Sequence, residues 1–339
     1  MVIQIALLLF GLTMILAAAE FFTNGIEEIG RKFSFSQAVV GSIFAAVGTA
    51  LPETILPMVA IFLYGGHSSK EIGVGAILGA PFMLSTLAFF LVGATSSLAA
   101  LKGKRRFELR IEVRSVRRDM VFFVAMYSSA VALPIFLGEA VQVPLAIALV
   151  FGYAFYAWLT FRGESAGIEH AGDMYFWKAA GRLGVPTDGK APPLLLILLQ
   201  VGISLGLMIG GAHTFVSSLE QVSARFGMDP LLFALLLAPI ATELPEKFNS
   251  VTWTWKGRDT LAVGNITGAM VFQSTFPVSV GLVFTEWKLT GMALFSALIA
   301  ITSSVILLGT VLLKKRISPL TMLFCGCLYL LYAIVLVVR

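Results

Sequence analysis

Two apolar stretches of this chain contain the same oxygen-bearing motif, Thr-x-Leu-Pro-Glu. The first copy ends in Glu53 and the second in Glu246, 193 residues later. A threonine, Thr49 or Thr242, comes four residues before each glutamate. Because a helix places residues four apart on one face, each motif offers a hydroxyl beside a carboxylate. Ionisable side chains are costly in apolar segments and mark functional sites there.

The proline of each motif adds backbone oxygens to this set. Pro52 and Pro245 each remove a backbone donor and kink a helix. The freed carbonyls, around residues 45–48 and 238–241, are tolerated at membrane depth only where they line a cavity. Carboxylate, hydroxyl and carbonyl oxygens without Cys or His suit calcium better than zinc or copper. Two glutamates also offset the charge of one divalent ion, and empty glutamates can bind protons instead.

The second motif carries two further charges, Glu243 and Lys247. They are four residues apart and therefore face the same side of a helix, which favours an ion pair. We hypothesise that this pair neutralises itself, so that the ammonium takes the place of one monovalent cation and modulates the site. The alternative is that Lys247 points away and reaches the membrane interface.

The elements that must hold these residues are membrane helices. The chain has 339 residues, of which 58% are apolar and 13% charged. A membrane-spanning helix needs about 20 apolar residues. The hydropathy pattern predicts ten spans, at 2–22, 37–63, 72–99, 120–138, 141–161, 193–216, 231–254, 260–285, 291–313 and 317–338.

The two motifs lie in two halves of five predicted spans each. A constant offset of 193 aligns residues 20–53 with 213–246, with eight identities in 34 positions. Since five is odd, the second half enters the membrane from the opposite face, which defines an inverted repeat and favours alternating access around a midplane site. We predict an all-α protein with a first repeat (1–161, motif at 48–53), a linker (162–191) and a second repeat (192–339, motif at 241–246).

Lysine and arginine predict the orientation. With ten alternating spans, 19 of the 24 basic residues fall on one face, four on the other and one, Lys247, inside a span. The basic face is expected to be cytoplasmic. The linker would then be cytoplasmic and both termini outside, in a multi-pass protein of the cell membrane.

A second pair of similar segments, 71–80 and 260–269, opens the third and eighth spans. Both are rich in glycine. Small residues allow membrane helices to approach closely, so we expect both glycine segments to lie in helix–helix interfaces.

These segments resemble the alpha repeats of the cation/calcium exchanger superfamily, which includes sodium/calcium and calcium/proton exchangers. The matching segments are Asn-Gly-Ile-Glu at 24–27, Gly-Thr-Ala-Leu-Pro-Glu at 48–53, Ala-Thr-Glu-Leu-Pro-Glu at 241–246 and Gly-Asn-Ile-Thr-Gly at 264–268. The resemblance covers essentially the whole chain. It implies the same ten-span fold and a secondary antiporter that exchanges calcium, or a similar divalent cation, for sodium or protons.

The resemblance also implies roles for individual residues. Glu53 and Glu246 would be the central calcium-binding carboxylates, and Thr49 and Thr242 would add hydroxyl oxygens. Three polar residues of the eighth helix match positions that complete sodium sites in the family, and Glu243 is a further candidate ligand. These three residues are Asn265, Thr267 and Gln273.

The chain also departs from the family pattern. Family members usually have serine after the motif threonine, where this chain has Ala50 and Glu243. The third helix reads Gly-Ala-Ile-Leu-Gly-Ala-Pro over residues 75–81 and has Leu84 beyond it, so it lacks the expected polar ligands. These differences weaken the case for sodium as the counter-ion.

Other functions fit the sequence less well. An intramembrane enzyme would need a His-Glu-x-x-His motif, an Asp within a span or a nucleophilic serine, and the sequence shows none of these in the predicted spans. A non-transporting receptor or scaffold with the exchanger fold, or a carrier of another cation, remains the alternative. We expect no cofactor and no nucleic-acid partner beside the transported ions and the lipid bilayer, and the oligomeric state stays open.

Overall fold

The computed structural model describes residues 2–33, 45–64, 66–163, 174–185, 191–314 and 316–338. Within these ranges the regular structure is helical, apart from one isolated bridge between Leu109 and Ile317. The helices are α1 (Val2–Lys32), α2 (Ala45–Val59), α3 (His67–Leu101), α4 (Val113–Leu137), α5 (Gln142–Gly163), α6 (Tyr175–Arg182), α7 (Leu194–Phe226), α8 (Pro230–Thr242), α9 (Leu244–Trp255), α10 (Asp259–Gln273), α11 (Phe276–Phe284), α12 (Gly291–Lys314) and α13 (Pro319–Val338).

Most of the predicted spans coincide with long apolar helices. Eight helical segments in the described ranges are long and apolar enough to cross a membrane. They occupy eight of the ten predicted positions. At the second and seventh positions the structure has shorter apolar helices, Leu51–Tyr64 and Pro230–Ile240. The protein is therefore an all-α, multi-pass membrane protein, while the count of ten spans and their inversion stay predictions.

Helix α3 lies at the centre of the bundle. Every residue from 72 to 86 along it is buried. It packs against α2 and α8 and, towards its end, against α9 and α13, and it also contacts α10, α11 and α12. A π-helical turn, Leu84–Ala88, interrupts its hydrogen-bond ladder without ending the helix. A second apolar cluster lies between α1, α2 and α7 and includes Ile15, Leu56 and Phe215.

Glycines set the spacing between α3 and α8. A Cβ atom built on Gly75 or Gly79 would lie 2.2 Å from the carbonyl oxygen of Leu231 or Leu235. The predicted interface role is therefore confirmed for the first glycine segment. The second segment also lies in a helix–helix interface, where Asn265 contacts α9 and Thr267 contacts α4. Its glycines do not set the spacing, however, since an added Cβ would meet no described atom within 4 Å at Gly264. At Gly268 it would meet only the Tyr156 hydroxyl, at 3.8 Å.

This difference predicts unequal effects of alanine. Gly79→Ala is expected to lower the free energy of unfolding by about 1–3 kcal/mol, the usual cost of overpacking, because two backbones must separate. Gly264→Ala is the matched control and should be neutral or slightly stabilising, since Ala is the better helix former. Thermal denaturation in detergent, followed by size-exclusion chromatography, measures both. Equal melting temperatures would show that α3 and α8 are not in contact at Gly79.

Two helices begin before the spans predicted for them. The predicted spans 120–138 and 260–285 exclude Asp119 and Asp259, but α4 and α10 include them, and both residues are buried. Asp119 accepts hydrogen bonds from Tyr156 (3.0 Å) and Thr267 (2.8 Å) and pairs with Arg118. The expectation that helical spans contain no aspartate is therefore wrong. These partners make Asp119 a link between helices rather than a free carboxylate.

Candidate cation site

The second motif breaks its helix as the sequence predicts. Helix α8 ends at Thr242, Glu243 adopts φ −95° and ψ 13°, and α9 begins at Leu244 with a proline in its first turn. The first motif behaves differently, because α2 runs without interruption through Pro52. The helix is thus broken in one copy only, and the kink at Pro52 stays a prediction.

Three carboxylates from the two motifs meet in the interior. Glu53 on α2 is 6% exposed, Glu243 at the α8–α9 junction 1% and Glu246 on α9 8%. The Glu53 carboxylate interacts electrostatically with Glu246, Glu243 and Lys247. The fold therefore brings the two copies of the motif to one place.

Most of the carboxylate oxygens at this place have no protein donor. Both oxygens of Glu53, Oε1 of Glu243 and Oε2 of Glu246, four of the six, are buried and accept no hydrogen bond from the described residues. Buried polar groups almost always find a partner, and an isolated buried carboxylate is very costly. Unpartnered oxygens that converge from two helices are suited to hold a cation.

Lys247 lies inside this cluster. Its Nζ atom is 3.1 Å from Oε2 of Glu243, so the predicted ion pair is present. The same Nζ donates to the carbonyl oxygen of Pro239 at 2.8 Å and approaches the sulfur of Met83 at 3.8 Å. Lys247 is only 6% exposed, so the alternative in which it reaches the interface is wrong. The ammonium is held by one carboxylate and one of the carbonyls in the predicted segment 238–241.

The two motif threonines cannot be compared directly. Thr242 is buried and donates its hydroxyl to the carbonyl oxygen of Ala238 at 3.2 Å, which leaves the lone pairs of the hydroxyl oxygen available. Thr49 lies in α2, but its side chain falls outside what the structure describes.

The polar residues of α10 separate into different environments. Asn265 donates to the carbonyl oxygen of Glu246 and to the Ser250 hydroxyl, both at 3.3 Å, and so ties α10 to α9. Gln273 is buried, and its Oε1 has no partner among the described residues. Thr267 instead donates to Asp119 at 2.8 Å, so its hydroxyl is already used in contact with α4.

Two groups that contact Lys247 were not predicted from the sequence. They are the Pro239 carbonyl, which accepts its hydrogen bond, and the Met83 thioether. Pro239 lies eight residues before Lys247, beyond the reach of the i,i+4 rule, and the contact exists only because the helix breaks at Glu243. Met83 is on α3, and only tertiary packing places it there. The polar groups nearby on α3, Ser85 and Thr86, both donate back to the Phe82 carbonyl.

Comparison with known proteins identifies the family of the chain. The model of the family described as "Sodium/calcium exchanger protein" matches residues 3–162 and 196–339, which is most of the chain and includes all the carboxylates of the site. The protein belongs to the sodium/calcium exchanger family. As a member of this family it is a transmembrane ion antiporter and not an enzyme.

Relatives from bacteria and two solved structures extend over nearly the same length as this exchanger-family chain. A putative antiporter, CaxA, from Alkalimonas amylolytica is 25% identical and covers 98% of this chain and 100% of its own. The inner membrane protein YrbG from Escherichia coli strain K12 is 24% identical, over 86% and 83%. The crystal structure of the H⁺/Ca²⁺ exchanger CAX matches with a TM-score of 0.72 at 18% identity, covering 98% and 82%. The sodium–calcium exchanger NCX_Mj matches with 0.53 at 17%, covering 99% of both chains. At these identities the two structures show a shared fold.

Proposed function

We propose that the protein exchanges calcium, or a similar divalent cation, for monovalent cations by alternating access at the Glu53–Glu246 site. The observation that carries this proposal is the set of buried carboxylate oxygens on α2 and α9 that have no donor among the described residues. Glu53 and Glu246 are the central ligands, Thr242 and Thr49 supply hydroxyl oxygens, and Gln273 is a further oxygen donor. Calcium takes six to eight oxygens, which such a set provides.

The charge of the site matches one divalent ion. When ionised, Glu53, Glu246 and Glu243 carry three negative charges, and Lys247 carries one positive charge, which leaves two negative charges. Since Lys247 is paired with Glu243, the remaining two charges reside on the unpartnered glutamates. We propose that Lys247 is a built-in cation that replaces one transported monovalent ion.

Symmetry between the halves supports alternating access. The glycine segments 71–80 and 260–269 align with an offset of 189. With that offset the π-helical turn of α3 at residues 84–88 aligns with residues 273–277, where the chain passes from α10 to α11. Both central helices are therefore interrupted at related positions, as expected for two inverted repeats around a midplane site. The excess of basic residues on one face supports a cytoplasmic linker with both termini outside.

The apolar third helix favours protons over sodium as counter-ion. The α3 segment 72–84 contributes no polar side chain near the site, and the Thr267 hydroxyl is already bonded to Asp119. Few oxygens remain for separate sodium ions, whereas two carboxylates can each take one proton. The ammonium inside the site favours a second candidate function. It is a carrier in this fold whose preferred cation is not calcium, because a positive charge in the site disfavours a divalent ion.

Flux measurements test the function directly. We expect radioactive calcium to accumulate in proteoliposomes under an outwardly directed proton gradient and to respond weakly to a sodium gradient. Competition by manganese, strontium and magnesium ranks the divalent cations. Accumulation driven by sodium but not by protons would contradict the proposed counter-ion, and no calcium flux under either gradient would favour the second candidate.

A further inference from the structure

A cavity of about 300 Å³ lies between the end of α3 and the end of α9, away from the carboxylates. Leu98 and Val251 form its apolar walls, and Thr95 and Thr252 add hydroxyls. Trp255 and Lys256 line it at the point where α9 ends. The cavity is therefore apolar on one side and cationic on the other.

Three lysines concentrate positive charge at its polar end. The ammonium of Lys104 lies 4.4 Å from the ring centroid of Trp255, and that of Lys102 lies 5.4 Å from the same centroid. Lys256 follows the tryptophan directly and lines the cavity. All three lysines are exposed, and no carboxylate in the described part of the chain pairs with them. Like charges this close repel each other, and a bound anion removes that repulsion.

The loop that carries two of these lysines is fixed in place. Arg105 forms a two-pronged ion pair with the buried carboxylate of Asp259 at the start of α10. The same guanidinium donates to the Thr254 carbonyl at 3.0 Å and to the Glu108 carbonyl at 2.6 Å. This clamp ties residues 102–108 to the junction of α9 and α10. The two ammonium groups are thus held beside Trp255 by a rigid anchor, as binding sites require.

The position along the helices identifies the class of anion. Leu98 is 49% exposed and Leu101 83% exposed, and both belong to the apolar helix α3 just before the basic loop. Tryptophan and flanking lysines are typical of the level at which a membrane helix meets the lipid head groups. A free anion would use the lysines but not the exposed apolar wall beneath them. A phospholipid uses both, with its phosphate on the ammonium groups and its acyl chain along Leu98 and Val251.

We propose that this cavity binds an anionic phospholipid, with the head group on Lys102, Lys104 and Lys256. The lipid lies at the end of α9, and Glu246 and Lys247 of the cation site lie near its start. At 1.5 Å per residue the two places are about 13 Å apart along the helix. Occupation of the cavity holds the end of the helix that carries the site. The proposal concerns binding and does not depend on which ion is transported.

Fluorescence quenching by brominated lipid tests the binding without any transport assay. The full-length protein is reconstituted in phosphatidylcholine with equal small fractions of brominated phosphatidylglycerol or brominated phosphatidylcholine. The contribution of Trp255 is the difference between the wild type and Trp255→Phe. We expect the anionic lipid to quench this contribution several-fold more than the zwitterionic one. In the triple variant K102Q/K104Q/K256Q, both lipids should quench the Trp255 fluorescence equally.

The matched control removes the same charge elsewhere. R106Q/R114Q/R117Q changes three exposed arginines of the neighbouring basic segment, and it should keep the preference for the anionic lipid. Equal quenching of the wild type by both lipids overturns the proposal. If both triple variants lose the preference for the anionic lipid to the same extent, the proposal is also overturned, because this result indicates diffuse attraction to a basic surface. If inorganic phosphate at matched ionic strength changes the Trp255 fluorescence, while brominated phosphatidylglycerol does not quench it preferentially, the site takes a soluble anion and the lipid is rejected.

Discussion

Replacing Glu53 by glutamine is expected to abolish divalent-cation flux in proteoliposomes while the protein stays folded. Glutamine has nearly the same shape but lacks the charge, and it offers one oxygen where glutamate offers two. The Glu53 carboxylate is buried and has no donor among the described residues, so the variant loses a cation ligand without losing a structural bond. Removing an uncompensated buried charge should even raise the stability of the empty protein.

The matched control is Glu139→Gln, which removes one carboxylate from an exposed position. Glu139 pairs with Lys288 at 3.1 Å, and both side chains are largely exposed, so the pair contributes little to the stability of the fold. Flux should be unchanged in this variant. Calcium binding to detergent-solubilised protein separates binding from transport, and we expect E53Q to bind at least about tenfold more weakly, which corresponds to 1.4 kcal/mol. Wild-type flux and binding in E53Q would remove Glu53 from the site.

Much of this site can be predicted from the sequence because the motif that forms it occurs twice. Two copies of one motif, each with a carboxylate in an apolar helix, indicated that Glu53 and Glu246 meet, and helical periodicity predicted the ion pair of Glu243 and Lys247. The structure places all four residues in the interior, in electrostatic contact with each other. Local rules were sufficient here because the relevant partners are either one helical turn apart or related by the repeat.

The sequence did not predict contacts that depend on tertiary packing. Thr267 follows the family pattern, but Asp119 on another helix accepts its hydrogen bond. Asp119 itself was placed outside a span because hydropathy ends at the basic residues before it, whereas α4 begins six residues earlier, at Val113. Glycines 75 and 264 occur in similar segments, yet only the first meets a neighbouring backbone. The packing of the whole bundle determines which face of a helix contacts a neighbour.

Replacing Lys247 by glutamine is expected to change the charge that the protein moves in each cycle. In the proposed mechanism, the two unpaired negative charges of the wild type are offset by one divalent ion or by two monovalent ions, so exchange should move no net charge. Without the ammonium, Glu243 adds a third negative charge that is 1% exposed. A divalent ion accommodates an additional carboxylate as a ligand. The site without the divalent ion instead requires a third monovalent cation, because an uncompensated buried charge costs about 3–5 kcal/mol.

The measurement is calcium flux at membrane potentials imposed with potassium and valinomycin. Wild-type flux should not respond to the potential, whereas K247Q should carry one net charge for each calcium ion and respond with the corresponding sign. The double variant E243Q/K247Q is the charge-matched control, since it removes both members of the 3.1 Å pair and restores two negative charges. It should again be insensitive to the potential. If K247Q and the wild type respond alike, Lys247 is not a substitute for a transported cation, and the ion pair only holds α9 against α8.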